Sequence, residues 1–340
     1  MNILCIDIGG GTQDICCYNG KDTFENSFKM VIPTPAKRMS QQIESLNKDI
    51  FINGTIIGGG TGRILKKKIS EGYNVFISKK AAPSIKDNLE KVAKSGFTIV
   101  EEVLNPDITF NEFDHNIIIP AANSALNGFE PDIIAAAVQD HGYIKNQSDR
   151  VTRFNFLKDI IKNGLENAFF DDFSKIPDHM TRFRSIYKSI EEIYPDKKII
   201  VTDTALVACL GACLEADTSK PFITIDIGNC HTFAIALNEK KETIGFFEHH
   251  TGSLTKELLE KYINELAKGS ISHDEIFMED GHGAFLAQNQ DISGCPVYLT
   301  GPNRNRFFSK GKTSFIFADP KGDTMMTGPI GMLIQQGIKL

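Results

Sequence analysis

The sequence predicts an α/β protein whose two domains face one another across a cleft, and three observations carry that expectation. Two Gly-rich turns of one kind, Asp7-Ile8-Gly9-Gly10-Gly11-Thr12-Gln13-Asp14 and Asp226-Ile227-Gly228-Asn229-Cys230-His231-Thr232, stand in the two halves of the chain. Each is flanked by apolar β-like runs, so each reads as the tight connection of a β-hairpin. Strand-like and helix-like segments alternate elsewhere, the pattern of packed α/β layers. The length of 340 residues suits about two domains, each able to bury its own core.

In chain order, strands are expected at 2–8, 13–18 and 23–31, and a helix at 36–47 after Pro33 and Pro35. Residues 49–57 alternate like a strand, and Gly58-Gly59-Gly60-Thr61-Gly62 opens a basic helix over 63–71. A strand at 73–77, a helix at 84–94 and a strand at 97–103 follow, so 49–103 reads as an α/β insertion in a first domain spanning 1–202. A buried strand is expected at 132–138, helices at 149–168 and 180–193, and a strand at 199–202 after the Pro195-Asp196-Lys197-Lys198 turn. The second domain, 203–340, opens with the Ala-rich helix Thr204-Ala205-Leu206-Val207-Ala208-Cys209-Leu210-Gly211-Ala212. Strands follow at 222–227, 232–237 and 242–248. Thr251 or Ser253 can cap a helix to Ala267, with Leu254, Leu258, Leu259 and Ile263 at helical spacing. Short strands at 297–300 and 314–318 and a helix from Thr324 complete the chain.

Composition narrows the function. A net charge of −6 argues against a general nucleic-acid binder, and Lys66-Lys67-Lys68 and Lys79-Lys80 read as solvated faces. No apolar run approaches the roughly 20 residues that span a bilayer, and the N-terminus runs directly into Asn2-Ile3-Leu4-Cys5-Ile6. A cytoplasmic protein without a membrane partner is expected. Seven cysteines, with Cys16 and Cys17 adjacent and Cys5 in a strand, form no disulfide framework and read as reduced thiols.

In such turns the glycines let backbone N–H groups approach a ligand, a Thr hydroxyl adds a donor, and an Asp can hold a hydrated divalent cation. Either turn alone is also what an ordinary hairpin shows. As a pair joined by a small-residue helix, they suggest jaws on a nucleotide triphosphate. This order resembles the actin, heat-shock chaperone and sugar kinase ATPase superfamily. The first turn looks like the D-x-G-G-G-T-x-D hairpin of the chaperone ATPases, and the second like the D-x-G-N-x-x-T turn of type three pantothenate kinases. The Ala-rich helix is similar to the one linking the two domains there, where small residues allow close crossing at a hinge. Leu299-Thr300-Gly301-Pro302 resembles the turn under the adenosine, with Pro302 in place of the second glycine.

The resemblance implies two actin-like (ribonuclease H-like) ATPase domains around an interdomain cleft that binds ATP and Mg. Gly9, Gly10, Gly11 and Thr12 would hold terminal phosphates, Asp7 and Asp226 would order water around the metal, and Asp7 would also serve catalysis. Gly228, Asn229 and Thr232 would close from the other side, with Gly301 near the nucleoside. The activity implied is phosphoryl transfer to a small-molecule substrate. Two alternatives stand beside it: an ATP-hydrolysing switch that activates another enzyme, as in the related dehydratase activators, and nucleotide binding without turnover. The switch implies a protein partner, and a homodimer if a cluster is bridged between subunits as in those activators.

Three constellations outside the turns carry candidate chemistry. Gly59 and Gly60, ahead of Arg63 and Lys66, could seat a substrate anion on a helix N-terminus, and the same loop also reads as a structural turn. Asp140, ending a buried strand, could orient an acceptor hydroxyl or water, with His141 as a proton shuttle; the other reading is a helix cap and a surface histidine. In Glu248-His249-His250-Thr251 the adjacent side chains diverge on a strand, so only one histidine, His250, is expected to face substrate.

The start of the chain, Gln139-Asp140-His141-Gly142 and Glu248-His249-His250-Thr251-Gly252 together look similar to a family often given the transferred name "pyruvate formate-lyase activating enzyme". That name implies radical chemistry on an iron–sulfur cluster held by C-x-x-x-C-x-x-C. Cys209 and Cys213 have the first spacing but no third cysteine stands at the position the motif requires, and both fall in the Ala-rich helix, so the radical chemistry is rejected.

Overall fold

A computed structural model describes residues 1–162, 164–311 and 315–340. β1 (Ile3–Ile8) and β2 (Thr12–Tyr18) form the first hairpin, in which Asp7 lies opposite Asp14. β1 is buried at every position, which is why its sequence is apolar without alternation. β3 (Phe28–Pro33) pairs antiparallel with β2. It starts later than the expected strand at 23–31, because Phe24–Asn26 coils into a 3-10 turn that buries Phe24. Thr34 caps α1 (Pro35–Ser45) through the Lys37 N–H, with proline in the first turn.

The chain then builds a separate four-stranded sheet from β4 (Ile50–Gly54), α2 (Thr61–Ser70), β5 (Val75–Ser78), α3 (Leu89–Lys94), β6 (Thr98–Val100) and β7 (Ile108–Phe110). Its order is β6-β5-β4-β7, all parallel, over an apolar cluster that includes Ile43, Ile50, Leu65, Ile77 and Phe110. This sheet runs on to Phe110, beyond the expected end at 103. α3 is shorter than the expected 84–94, since Pro83 sits in an isolated 3-10 turn and Asn88 supplies the cap.

α4 (His115–Leu126), β8 (Ile133–Val138), α5 (Asp149–Ile161), α6 (Thr181–Glu191), β9 (Lys198–Asp203) and α7 (Thr204–Ala212) follow. β8 lies parallel to β1 and β9 parallel to β8, giving the first sheet the order β3-β2-β1-β8-β9. The helix expected to reach 168 stops at Ile161; Gly164 takes φ 127° and a 3-10 turn covers Leu165–Ala168. Asn163 lies outside the described residues.

The second half comprises β10 (Phe222–Ile227), β11 (His231–Leu237), β12 (Thr243–His250), α8 (Lys256–Ala267), α9 (His273–Met278), β13 (Gly281–Leu286), β14 (Val297–Thr300), α10 (Arg304–Phe307), β15 (Ile316–Phe317) and α11 (Thr327–Gln335). Its sheet order is β13-β12-β11-β10-β14-β15. Without the edge strand β13, this repeats the first sheet: two antiparallel hairpin connections, then two parallel strands on the far side of the first. Thr255 caps α8, not Thr251 or Ser253, which form a 3-10 turn ahead of it. The helix expected from Thr324 begins one 3-10 turn later, at Thr327. The strand expected at 314–318 begins at Ser314, outside the described residues, and appears as β15.

α7 and α11, which follow the last strands of the two sheets, cross in contact. A Cβ on Gly211 would sit 1.9 Å from the Thr327 carbonyl oxygen, and one on Gly331 would sit 2.1 Å from that of Val207. Only glycine allows backbones so close. The largest apolar cluster runs through both halves, joining Ile6 and Phe154 to Cys209 and Phe233. All seven cysteines are unpaired, and among the described residues no helix is long and apolar enough to cross a membrane.

Candidate functional site

The two Gly-rich turns meet face to face, and both are closed by the same hydrogen bond. Gly9 N–H donates to the Thr12 carbonyl at 3.0 Å, and Gly228 N–H donates to the His231 carbonyl at 3.0 Å. In this register Asp7 corresponds to Asp226, Gly10 to Asn229, and Thr12 to His231. Thr232 is one position past the turn; its hydroxyl is buried and pairs with the Thr251 hydroxyl at 3.0 Å, so it does not line the cleft. The Gly9 and Gly228 amides are spent on the turns themselves.

A Cβ on Gly10 would sit 2.7 Å from Cys230 Sγ, and one on Gly11 would sit 2.7 Å from Asn229 Nδ2, so the jaws are shut. Between them lies a cavity of about 80 Å³ lined by Asp7, Thr12 and Asp14 on one side, Asp226 and Gly301 on the other, and the first residues of α7 and α11.

Glycines make room for the carboxylates here. A Cβ on Gly328 would sit 1.9 Å from Asp7 Oδ2, and one on Gly301, at φ +89°, would sit 2.4 Å from Asp226 Oδ1. Burial, with the nearby Asp14 charge, holds the Asp7 carboxyl well above the usual range. Burial also pushes Asp14 up to about 7, and burial with Asp7 pushes Asp226 up to about 8. Asp7 Oδ1 and Asp14 Oδ1 are buried without a hydrogen-bond partner among the described residues. An all-oxygen set lacking a counter-charge fits a hard divalent ion such as Mg²⁺. Among the described residues, the three side chains whose donor atoms lie within 4.8 Å of one another are histidines, so the carboxylates suit an ion that keeps its water.

Gly59, Gly60 and Arg63 lie on the other side of the first turn. They line a cavity of about 410 Å³ together with Gly10, Thr34 and Lys37. Gly60, at φ 120°, starts α2, so two cationic side chains and a helix N-terminus face one space.

Asp140 points elsewhere. Its Oδ1 accepts the Gly142 N–H at 2.8 Å, and its Oδ2 accepts the Arg182 and Phe183 N–H groups at 2.8 and 2.9 Å, at the start of α6. Burial lifts it to about 6 against these amides and the Arg182 charge. The placement is that of a helix cap, not of a base aimed into the cleft.

His141, beside it, joins a cluster that sequence reading missed in part. Its ring lies 5.1 Å from that of His231 and 5.3 Å from that of His282, and His250 lies 4.8 Å from His231 and 4.9 Å from His282. His249 turns away toward Tyr262, as adjacent strand residues must. Behind the cluster, fully buried Arg153 binds Glu248 at 2.7 Å and Asp203 at 2.7 Å, tying α5 to β12. Burial raises Glu248, but Arg153 and His282 more than offset it and hold the carboxyl well below the usual range. His231 stands inside the second turn, where the turn motif assigns it no role. His282 sits on β13, which the sequence did not reveal, and Arg153 gave no signal at all.

Over residues 57–306 the sequence matches the family described as "Putative pyruvate format-lyase activating enzyme (DUF1786)". No curated protein matches the chain. Among solved structures it is similar to MreB5 of Spiroplasma citri bound to ADP, at 9% identity over 99% of this chain and 96% of that one, with a TM-score of 0.37. It is also similar to an exopolyphosphatase-like protein, at 10% identity over 88% of this chain and 66% of that one, with a TM-score of 0.27. Cys209 and Cys213 are buried in and just after α7. Among the described residues no third donor joins them.

Proposed function

The chain belongs to that family, and we propose that it binds ATP with magnesium between its two turns and transfers the γ-phosphoryl group to a small molecule. The observation that carries this reading is the duplicated turn. Two hairpins with one hydrogen-bond pattern face each other, each ending a strand whose carboxylate, buried Asp7 or half-buried Asp226, is held above its usual range. On this reading the two large sheets belong to actin-like ATPase domains, 1–202 with the four-stranded sheet inserted, and 203–340.

Asp7, Asp14 and Asp226 would hold hydrated Mg²⁺, whose charge would let these carboxyls ionise. Free amides at Gly10, Gly11 and Asn229, with the Thr12 hydroxyl, would take the terminal phosphates, and Gly301 would lie toward the nucleoside. The closed cavity of about 80 Å³ is far below the roughly 300 Å³ of ordinary ligand pockets, so the turns must part about the α7–α11 crossing to admit ATP. An anionic acceptor fits the cavity of Arg63 and Lys37, which meets the phosphate turn at Gly10.

The test is the melting temperature with saturating Mg-ATP or Mg-ADP, since a ligand bound only by the folded cleft raises it. An unmoved transition with both nucleotides overturns the reading. A shift lost in Asp7→Ala and Asp226→Ala supports it.

The switch reading has one observation in its favour: Arg153 bridges the halves through a fully buried pair with Glu248, so closure is held by more than the nucleotide. ATP turnover that answers to a partner protein and to no added metabolite would select it.

A further inference from the structure

The histidine cluster offers nitrogen donors whose lone pairs are already aimed. His282 Nδ1 lies 2.9 Å from Glu248 Oε2 without the geometry of a hydrogen bond, and the carboxylate charge favours the proton on Nδ1. His250 Nδ1 lies 2.6 Å from the Asp280 carbonyl oxygen, so it too carries the proton. Both rings therefore have bare Nε2 lone pairs, and these two atoms face each other at 3.3 Å. Two acceptors at that distance need a cation between them, either a proton shared in an imidazole–imidazole hydrogen bond or a metal ion. With metal–nitrogen bonds of about 2.0–2.1 Å, two imidazoles on a tetrahedral ion stand about 3.3–3.4 Å apart.

The surroundings ask for the same charge. Both ring nitrogens of His231 are buried without a hydrogen-bond partner among the described residues. Arg153 opposes Asp203 and Glu248, so one guanidinium against two carboxylates leaves a buried negative charge behind His282.

We propose that His141, His231 and His282, with His250 closing the fourth position, bind a first-row divalent transition metal of the zinc or ferrous type. Donor atoms of the first three lie within 4.8 Å of one another. The site differs in kind from the carboxylate end of the cleft, because imidazole selects borderline ions while Mg²⁺ takes oxygen. His141 follows β8 and the other three belong to the second half, so the metal fastens the halves together beside the second turn. Glu248 on His282 Nδ1 is the carboxylate that orients a ligating ring.

The full chain, stripped with EDTA and dialysed, is titrated with Co²⁺ and then Zn²⁺. Visible bands of tetrahedral Co²⁺ at one equivalent, displaced by Zn²⁺ and not by excess Mg²⁺, are expected. His231→Ala should lower the affinity at least about 100-fold, a larger loss than outer-sphere changes cause. His282 is fully buried and its variant can fail to fold, so His141→Ala is the second arm, with melting in EDTA as the check on folding; His115→Ala is the control. Absence of one-equivalent binding overturns the proposal, and so does unchanged binding in natively folded His231→Ala or His141→Ala. Neither outcome touches the Mg-ATP shift, which is measured without transition metal.

Discussion

The carboxylate end and the imidazole end of the cleft are buried alike, yet their charges are handled in opposite ways. Among the described residues Asp7 and Asp226 have no cationic side chain beside them, and burial drives their carboxyls toward the neutral form. Glu248 is more deeply buried than either, yet Arg153 keeps it ionised. Depth does not decide the state of a carboxyl; the partner does. A built-in guanidinium makes a permanent fixture, whereas carboxylates left without one make a place for a cation that can come and go.

The largest effect should come from removing the fixture. Arg153→Met strands Asp203 and Glu248 without their counter-charge, and a loss of about 3–5 kcal/mol is expected in urea unfolding. A loss below about 1 kcal/mol would erase the contrast between the two ends.

The pH dependence in EDTA sharpens it. Asp14 and Asp226 hold their protons to about 7 and about 8 when folded, above the usual value of about 3.9. Their contribution is full below the unfolded value and is lost as pH rises through 7 to 8. His141 and His231 are depressed to about 3 and about 2, below the usual value of about 6.5. Their contribution is present above 6.5 and is lost as pH falls toward 3. Each group adds a slope of about 1.4 kcal/mol per pH unit inside its window. Asp226→Asn should flatten the alkaline limb, as should Mg²⁺, and His231→Gln the acid limb. Limbs that do not separate in these variants would show that the ends are not independent.

Gly328→Ala is the next test, since its Cβ would meet Asp7 Oδ2 at 1.9 Å. A cost of about 1–3 kcal/mol is expected, with a smaller melting shift from Mg-ATP. A full shift would move the cation away from Asp7.

Local signals made much of this legible. The turns, the strands beside them and the small-residue helix could be read because Gly, Asp and apolar runs act within a few residues. Gly211 and Gly331 reveal why that helix is small: two backbones touch there. The imidazole end was illegible for the opposite reason. Sheet pairing brings His231, His250 and His282 together and His141 reaches them from the end of β8, while β13 has the composition Gly-His-Gly-Ala-Phe-Leu, with two glycines and little β-branching to mark a strand. Thr232 was misplaced because sequence aligns letters, while the hairpin register aligns Thr12 with His231.

Asp140 should give the smallest effect, and it separates a cap from a catalyst. Its two oxygens accept three backbone N–H groups, two of them at the start of α6. In Asp140→Asn one oxygen becomes an NH₂, which must face at least one N–H donor whichever way the amide turns. The negative charge near the helix N-terminus is lost as well. A loss of about 1 kcal/mol is therefore expected, as for other N-cap changes, with the Mg-ATP shift unchanged. Turnover should stay near normal, because the carboxylate is buried and turned onto backbone N–H groups at Gly142 and the start of α6. If turnover instead falls by about 10²-fold in a variant of native stability, the scale of a lost general base, Asp140 orients the acceptor after all and the capping bonds are secondary.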